Sequence, residues 1–431
     1  KYLEDFILSL QAGDNVIIGP NGSGKTNIIS FIEFLANISR HSLLDAVSRS
    51  GVAGRIFRRN ESGSLAKKIA FTIAGEGDHK DYRGNETLFV RYEYSADITL
   101  SDTGALTYTS QTVRLAHGKQ FFFLKRRWPV QITVDTAPDG GSTILSEIED
   151  GYLRDLIRSK AEPARTTAEM EELLRDSCHN SALFQLISRY VRGSPIIALD
   201  FVGAKSLNIS PTAVRRPEDI ASEPEISEDG SGLAAVLFSL SNAGDKGYMA
   251  HWNPFSYRIQ ADDSEEVFEQ IISYSRIVND SIHRISVEPD TIENQLRIFV
   301  TVNYGSRFVK LPFSLVSDGT AKWFALVTAI VTSPSVFAIE EPENYLHPLM
   351  QREIVKIVRE TFTSKRKEGF AVMTTHSETI LNSVDPDEMI LVHMEDGRTI
   401  AKRPSNSSDI RKEINETGFG AGYYYLAGAI E

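Results

Sequence analysis

Residues 19–26 read Gly-Pro-Asn-Gly-Ser-Gly-Lys-Thr, and this run constrains the fold more than any other part of the 431-residue chain. It matches the phosphate-loop pattern, in which a glycine-rich turn ends in lysine and a hydroxyl residue. An apolar run at 15–18 precedes it, as a buried strand would, and apolar residues with helical spacing follow at 27–35. A glycine turn arising by chance does not explain these features together. The sequence therefore predicts a strand, a phosphate-binding turn and a helix.

The chemistry of a phosphate loop gives each residue of this segment an expected role. Backbone N–H groups and the helix N-terminus surround an anion. We expect Lys25 to reach the β- and γ-phosphates and the Thr26 hydroxyl to hold Mg²⁺. The other residues expected to contact the nucleotide are Asn21, Gly22, Ser23, Gly24 and Asn27. The sequence thus predicts that a nucleoside triphosphate binds here, with ATP and Mg²⁺ as the ligands.

A pair of carboxylates follows a second apolar run, at 335–339. These are Glu340 and Glu341, placed at the carboxyl end of a predicted strand. In such a Walker B arrangement the first carboxylate holds a metal-bound water, and the second polarises the attacking water as general base. Glu340 stands where Asp is more usual, and its longer side chain still reaches the metal shell. An acidic surface turn is the alternative, but a phosphate loop requires a partner of this kind.

Two further segments supply candidate site residues. The apolar run at 370–375 ends at His376, which we expect to contact the γ-phosphate as a catalytic switch, although a lone histidine is more often structural. Residues 317–320, Ser-Asp-Gly-Thr, begin an apolar helix. At that helix start, Ser317 and Gly319 can present a hydroxyl and N–H groups to a phosphate. The alternative for Ser317 is an ordinary helix N-cap.

In this order the four elements resemble the head of an ABC-type ATPase. Within that class the chain is similar to the overcoming-lysogenisation-defect (OLD) and RecF-like branch. The motifs that carry the similarity lie at 19–27, 317–320, 340–348 and 374–377. The resemblance implies an α/β fold: an ABC-type P-loop ATPase head with a flanking antiparallel β-rich lobe and helical insertions. It also implies that Ser317, Asp318 and Gly319 form a degenerate signature motif that acts on the opposite protomer, with Asp318 in the place of a usual glycine.

The resemblance also implies partners. Because a signature motif completes the site of the opposite subunit, an ATP-dependent homodimer or higher oligomer is expected. The segment between Lys25 and Glu341 lacks the sustained heptads of an SMC-type coiled coil, which favours the OLD/RecF-like branch. OLD nucleases carry a further nuclease domain, for which the residues after His376 leave no room. The chain therefore looks like the stand-alone ATPase subunit of an anti-phage defence system such as Septu, with a separate HNH-type nuclease subunit.

Three functions remain open from the motifs. The first is an ATPase that regulates a partner nuclease in antiviral defence. The second is a RecF-like DNA-repair ATPase, and the third is a nucleotide-sensing scaffold with little turnover. We expect no intrinsic nuclease, because the nine histidines show no metal-ligand spacing and the two Walker B carboxylates are already assigned to ATP.

The composition bears on DNA, membranes and compartment. A net charge of −12 means that DNA contact is indirect or uses a local basic patch, for which the basic and aromatic segment 119–128 is the candidate. That segment also suits a strand with a solvated basic end. No apolar run approaches the roughly 20 residues of a membrane span. One cysteine, Cys178, suits a cytoplasmic protein. Lys1 is not a native start, so we expect residues before it.

The pattern of apolar residues and turns divides the chain into three segments. The P-loop ATPase core is expected to be discontinuous, at 1–50 and 310–431. A β-rich lobe is expected at 51–165, and a helical and β insertion at 166–309, with an acidic, irregular loop near 200–229. Individual strands are predicted at 68–73, 87–94, 130–134, 285–287, 296–302 and 308–311. Helices are predicted within 166–190, 231–241 and 265–279, and a hairpin at 389–401.

Overall fold

The computed structural model describes residues 3–51, 56–57, 65–81, 86–118, 128–137, 140–149, 151–153, 163–201, 203–242, 261–333, 336–364 and 369–430. They form two compact units, Ser30–Ala204 on the one hand and Leu3–Ile29 with Lys205–Glu431 on the other. The sequence predicts three segments instead, and its third segment is divided between the two units. The basic and aromatic segment at 119–128 lies outside the described residues, apart from Trp128.

The strands and helices have the following bounds. The strands are β1 (Gly13–Ile18), β2 (Lys68–Asp81), β3 (Glu86–Leu100), β4 (Leu106–His117), β5 (Val130–Thr136), β6 (Ser142–Ile148), β7 (Ser206–Leu207), β8 (Glu218–Asp219), β9 (Ile282–Asp290), β10 (Gln295–Tyr304), β11 (Arg307–Pro312), β12 (Val336–Glu340), β13 (Phe370–Thr374), β14 (Met389–Glu395) and β15 (Arg398–Lys402). The helices are α1 (Lys25–Ile38), α2 (Leu43–Arg49), α3 (Pro163–Ser177), α4 (Leu183–Ile187), α5 (Pro195–Phe201), α6 (Pro211–Val214), α7 (Leu233–Ser241), α8 (Ala261–Val278), α9 (Asp318–Thr332), α10 (Pro348–Ser364), α11 (Glu378–Leu381), α12 (Ser407–Thr417) and α13 (Ala421–Leu426).

A six-stranded sheet forms the centre of the unit that contains the phosphate loop. Its strands lie in the order β15-β14-β1-β13-β12-β7, and all neighbours run parallel except β14 and β15. Strands β1 and β12 are almost wholly buried, which explains why both are continuous apolar runs. Parallel strands share one carboxyl edge, so the residues that follow β1, β12 and β13 come together there.

The same unit holds a second, smaller sheet and a continuous hydrophobic core. Strand β10 pairs antiparallel with β9, β11 and the short β8. Helix α9 is buried along almost its whole length and belongs to this core. Its N-cap is Ser317, whose side chain accepts a hydrogen bond from the Thr320 N–H.

The other unit is built on an antiparallel sheet of five long strands. Strands β2 to β6 pair in chain order, so the sheet is a meander. Residues of β3, β4 and β5 share a hydrophobic core with helices α3, α4 and α5. Strands β4 and β6 were not among the strands predicted from the sequence.

The predicted fold class, α/β with a P-loop head, an antiparallel β-rich lobe and helical insertions, is confirmed. The hairpin predicted at 389–401 is β14–β15, whose turn has positive φ at Asp396 (46°) and Gly397 (76°). The expectation of little regular structure at 200–229 is wrong in part. Strand β7 pairs with β12 there, and the Glu218 carboxylate accepts hydrogen bonds from Gly232 and Ala235. Among the described residues, no helix combines the length and apolar character needed to cross a membrane.

Candidate nucleotide site

The phosphate loop connects β1 to α1 through backbone conformations that only glycine adopts without strain. Gly22 and Gly24 have φ of +82° and +102°, in the left-handed region. A Cβ atom on Gly19 would lie 1.9 Å from the Val392 carbonyl oxygen in β14. At Gly24 it would lie 2.2 Å from Thr399 Oγ1 in β15. The glycines predicted from the motif are therefore required by the loop's shape and by its contact with the β14–β15 hairpin.

Lys25, the first residue of α1, points back into this loop. Its Nζ donates to the carbonyl oxygens of Gly19 (2.7 Å) and Pro20 (3.1 Å), and the residue is only 8% exposed. Burial lowers the pKa of Lys25, and the negative charge of Glu341 acts in the opposite direction. The Ser23 hydroxyl is buried, and no described residue forms a hydrogen bond with it. A buried ammonium, an unpaired hydroxyl and the first-turn amides of a helix are the donors that a polyphosphate requires.

Glu341 begins the turn after β12, which we call the Walker B turn (residues 341–345). Its φ of +43° is unusual for a residue with a side chain, and its N–H donates to the Thr374 carbonyl of β13 at 3.0 Å. One carboxylate oxygen accepts a hydrogen bond from Asn344 Nδ2 at 3.0 Å. The structure therefore places the predicted general base after β12, at the same carboxyl edge of the sheet as the loop between β1 and Lys25.

Glu340, the last residue of β12, has a different environment. Ser206 Oγ in β7 donates to its Oε1 at 3.1 Å, whereas no hydrogen bond joins it to Thr26 in the described structure. Burial raises the pKa of Glu340, and the carboxylates of Glu228 and Glu341 add to the rise. The negative charge of Glu228, Glu340 and Glu341 suits a cation. Among the described residues, no cluster of three or more protein ligands could hold a metal. A cation here would therefore need phosphate oxygens, as Mg²⁺ commonly does.

His376 and Thr26 both lie at the same edge of the sheet and are exposed to solvent. The backbone N–H of His376 donates to Glu343 Oε1 at 2.7 Å, so the Walker B turn and the residue after β13 are joined directly. Asn21 and Asn27 belong to the loop and to the first turn of α1, respectively. The structure thus assembles the predicted residues of the loop, of β12 and of β13 at one carboxyl edge.

The predicted signature residues lie at the N-terminus of α9. Arg215 Nη1 donates to Asp318 Oδ1 at 2.6 Å, and another nitrogen of the same guanidinium donates to the Val316 carbonyl. A Cβ on Gly319 would lie 2.7 Å from the carbonyl oxygen of Tyr345, so α9 begins in close contact with the Walker B turn. The carboxylate of Asp318 is thus paired with a cation.

Sequence reasoning missed three residues of this site. Ser206 and Arg215 come from the segment taken as an irregular loop, and their partners are more than a hundred positions away in sequence. Lys322 was missed as well, although a single lysine in an otherwise apolar helix is a usable signal. It is 1% exposed, and its Nζ lies 3.4 Å from the Glu341 carbonyl oxygen.

Two solved structures that are similar to this chain are head domains of SMC proteins. One is the SMC head bound to the C-winged helix domain of ScpA, with 14% identity, 92% coverage of each chain and a TM-score of 0.47. The other is the SMC head domain from Thermotoga maritima, with 11% identity, coverage of 91% of this chain and 92% of that chain, and a TM-score of 0.36. No curated protein matches the sequence significantly.

The family comparison covers most of the chain. Residues 15–382 match the family described as "AAA domain, putative AbiEii toxin, Type IV TA system". The matched stretch includes the phosphate loop, the signature residues, the Walker B turn and His376. The chain therefore belongs to this AAA-domain family, and its phosphate-loop unit is an ATPase domain.

Proposed function

We propose that this chain hydrolyses ATP in a homodimer whose two copies are joined by the nucleotide, and that the ATP cycle regulates a separate partner. The observation that carries the proposal is the placement of Glu341. It follows β12 at the carboxyl edge of the sheet, and its N–H donates to the Thr374 carbonyl of β13 at 3.0 Å. Strand β13 pairs with β1, which leads into the loop that holds Lys25. A carboxylate at the edge where a lysine binds the γ-phosphate is the arrangement that hydrolysis requires.

Each residue has a distinct part in the proposed reaction. Lys25 exchanges the Gly19 and Pro20 carbonyls for phosphate oxygens, and the loop amides and Ser23 hydroxyl bind the remaining anionic charge. Glu341 accepts the proton of the attacking water. His376 lies beside Glu343 and marks the γ-phosphate end of the site. Thr26 and Glu340 are the residues that would hold Mg²⁺, which supplies charge neutralisation at the phosphates.

The N-terminus of α9 supports the dimer. Ser317 and the first amides of this 15-residue helix can face a phosphate bound by the other copy. The carboxylate at 318 would repel that phosphate, and its pairing with Arg215 reduces the repulsion. Leu315 (69% exposed) and Tyr345 (64% exposed) lie close in sequence to the two motifs and offer apolar surface for a second copy.

The partner is proposed to be an HNH-type nuclease subunit of an antiviral defence complex. This step rests on the resemblance to stand-alone defence ATPases. A family description that names a putative toxin of a toxin–antitoxin system fits a protein that works with a second component. With a net charge of −12, DNA contact is proposed to be indirect or confined to the basic segment 119–128. The same charge weighs against the RecF-like repair function.

A second candidate function is a nucleotide-sensing scaffold with little turnover. Two departures from the usual motifs favour it: Glu340 stands where Asp is more usual, and Asp318 stands in the place of a usual glycine of the signature motif. In this alternative, bound ATP holds an assembly in one state without being consumed quickly. Both the proposed function and the scaffold require ATP binding, but only the proposed function requires rapid ATP hydrolysis.

Steady-state hydrolysis and ATP binding, measured side by side, separate the two. Glu341→Gln is expected to lower kcat by roughly 100-fold or more while ATP affinity is kept, because only proton transfer is lost. Lys25→Ala is expected to weaken ATP binding itself. Glu395→Gln, at a carboxylate that is 67% exposed, is the matched control and should leave both quantities unchanged.

Two outcomes of this experiment count against hydrolysis. Tight ATP binding by the wild type without turnover above background supports the scaffold. Turnover in Glu341→Gln at the wild-type rate contradicts the role of this carboxylate.

A further inference from the structure

Helix α9 buries a lysine in the middle of the hydrophobic core. Every residue of the helix from Thr320 to Val331 is buried, and Lys322 is 1% exposed. An ammonium group removed from water is strongly unfavourable unless charges and acceptors surround it. The environment of Lys322 therefore has to supply such partners, and they identify what this side chain does.

Within the described part of the chain, the partners of Lys322 belong to the Walker B turn. Its Nζ lies 3.4 Å from the Glu341 carbonyl oxygen and 5.9 Å from the centre of the Tyr345 ring. Burial lowers the pKa of Lys322 to about 8, against the opposing effect of the Glu343 and Glu341 carboxylates. The lysine thus remains largely charged at neutral pH and interacts with the first, third and fifth residues of one short turn.

The Walker B turn is a segment that needs such support. Both Glu341 (φ +43°) and Tyr345 (φ +68°) occupy the left-handed region, which is costly for residues with a side chain. The turn also contacts α9 where Gly319 approaches the Tyr345 carbonyl, and Glu343 holds the N–H of His376. The Walker B turn is strained, carries Glu341 and contacts α9. Such a turn persists only if the surrounding residues hold it in place.

We propose that Lys322, on α9, is a positioning residue for ATP hydrolysis. It holds the Walker B turn in place, so that Glu341 faces the bound nucleotide. Lys322 does not touch the nucleotide and acts through Glu341 and Glu343. Because α9 begins with the signature residues, the same contact links the helix that faces the opposite copy to the base of its own copy. This inference rests on the proposed function.

The test separates catalysis from binding and from folding. Lys322→Met keeps an unbranched side chain that is one heavy atom shorter, and it removes the charge. We expect kcat to fall roughly 10- to 100-fold, as for a misplaced catalytic group, while the ATP dissociation constant stays within about threefold of the wild type. Lys356→Met is the matched control, since this lysine is 52% exposed and pairs with Glu353 on the same helix. Its kcat, ATP affinity and Tm should equal those of the wild type.

Glu343→Gln tests the same contact from the other side and serves if Lys322→Met does not fold. It is expected to lower kcat with ATP affinity kept, and the double variant should lose less than the product of the two single losses. If Lys322→Met folds and keeps the wild-type kcat, the positioning role of Lys322 is overturned while the proposed function stands. If only Glu343→Gln folds, a wild-type kcat in that variant has the same consequence. Equal losses of kcat and ATP affinity also overturn the positioning role, because they indicate a general structural role. A wild type without turnover contradicts the proposed function, and the assignment of Lys322 then fails with it.

Discussion

At the scale of single residues, burial sets the charge state of Asp14 at the amino end of β1. Asp14 is 3% exposed, and neither carboxylate oxygen accepts a hydrogen bond in the described structure. Burial raises the pKa of Asp14 to about 7, the Glu388 carboxylate adds to the rise, and Arg359, 3.6 Å away, opposes it. In the folded chain this carboxyl group is therefore half-protonated near neutral pH, whereas an unfolded aspartate is ionised.

The stability of the nucleotide unit should consequently depend on pH through Asp14. The folded pKa lies above the unfolded one, so the stabilising contribution of the protonated form is lost as pH rises towards 7. The free energy of unfolding should fall by up to about 1.4 kcal/mol per pH unit in this window. Asp14→Asn should remove this slope and be more stable than the wild type at pH 8.

Chemical denaturation of both proteins between pH 5 and pH 8 measures the difference. Asp102→Asn is the control, because the Asp102 side chain is 85% exposed. A difference between Asp14→Asn and the wild type that stays constant from pH 5 to pH 8 contradicts the argument.

The sequence predicted the site residues whose spacing along the chain is fixed by their chemistry. The glycines of the loop, Lys25 and Glu341 belong to such short motifs. Arg215, Ser206 and Lys322 were not predictable in this way, because their partners come from elements distant in the chain. The strained φ of Glu341 is likewise set by tertiary contacts rather than by its neighbours in sequence.

At the scale of elements, one buried glutamine joins the five-stranded sheet of the unit Ser30–Ala204 to the helices of that unit. Gln111 of β4 is 1% exposed, and its Oε1 accepts from the Tyr94 hydroxyl and the Leu183 N–H, both at 2.7 Å. Its Nε2 donates to the carbonyls of Cys178 (2.7 Å) and Ser181 (3.0 Å). All four hydrogen-bonding positions of the amide are therefore used. The chain between α3 and α4 is held to β4 by this side chain and by the Tyr108 N–H, which donates to the His179 carbonyl at 3.0 Å.

Gln111→Leu should destabilise this unit strongly, because it leaves four buried polar groups without their partner. We expect a loss of about 2–5 kcal/mol in the free energy of unfolding. Gln131→Leu on β5 is the control: Gln131 is half-buried and accepts one hydrogen bond from Arg114, so its loss should be about 1 kcal/mol or less. Thermal and urea unfolding of both variants measure this, and an equal or smaller loss for Gln111→Leu contradicts it.

Among the elements, long strands and helices with clear apolar periodicity were predicted, and the shorter or more polar ones were not. Strands β4 and β6 were missed, since β6 is nowhere fully buried and β4 carries polar residues such as Gln111 in its core positions. The short strands β7 and β8 depend on pairing with β12 and β10, which are distant in sequence. Turn chemistry was sufficient for the β14–β15 hairpin, where Asp-Gly favours the observed turn.

At the scale of the whole molecule, the described residues form two units with separate hydrophobic cores. Every residue proposed to bind ATP, to hydrolyse it or to face a second copy lies in the unit that contains the phosphate loop. We therefore predict that ATP changes the state of assembly through this unit.

The mass of the protein in solution, measured by light scattering with and without ATP and Mg²⁺, tests whether the nucleotide joins two copies of the chain. Glu341→Gln binds ATP without consuming it, so its mass should double when ATP and Mg²⁺ are added. In Lys25→Ala combined with Glu341→Gln the mass should not respond to ATP, because the phosphates lose the ammonium that binds them. If Glu341→Gln binds ATP and its mass remains the same with and without the nucleotide, the nucleotide-joined homodimer is contradicted.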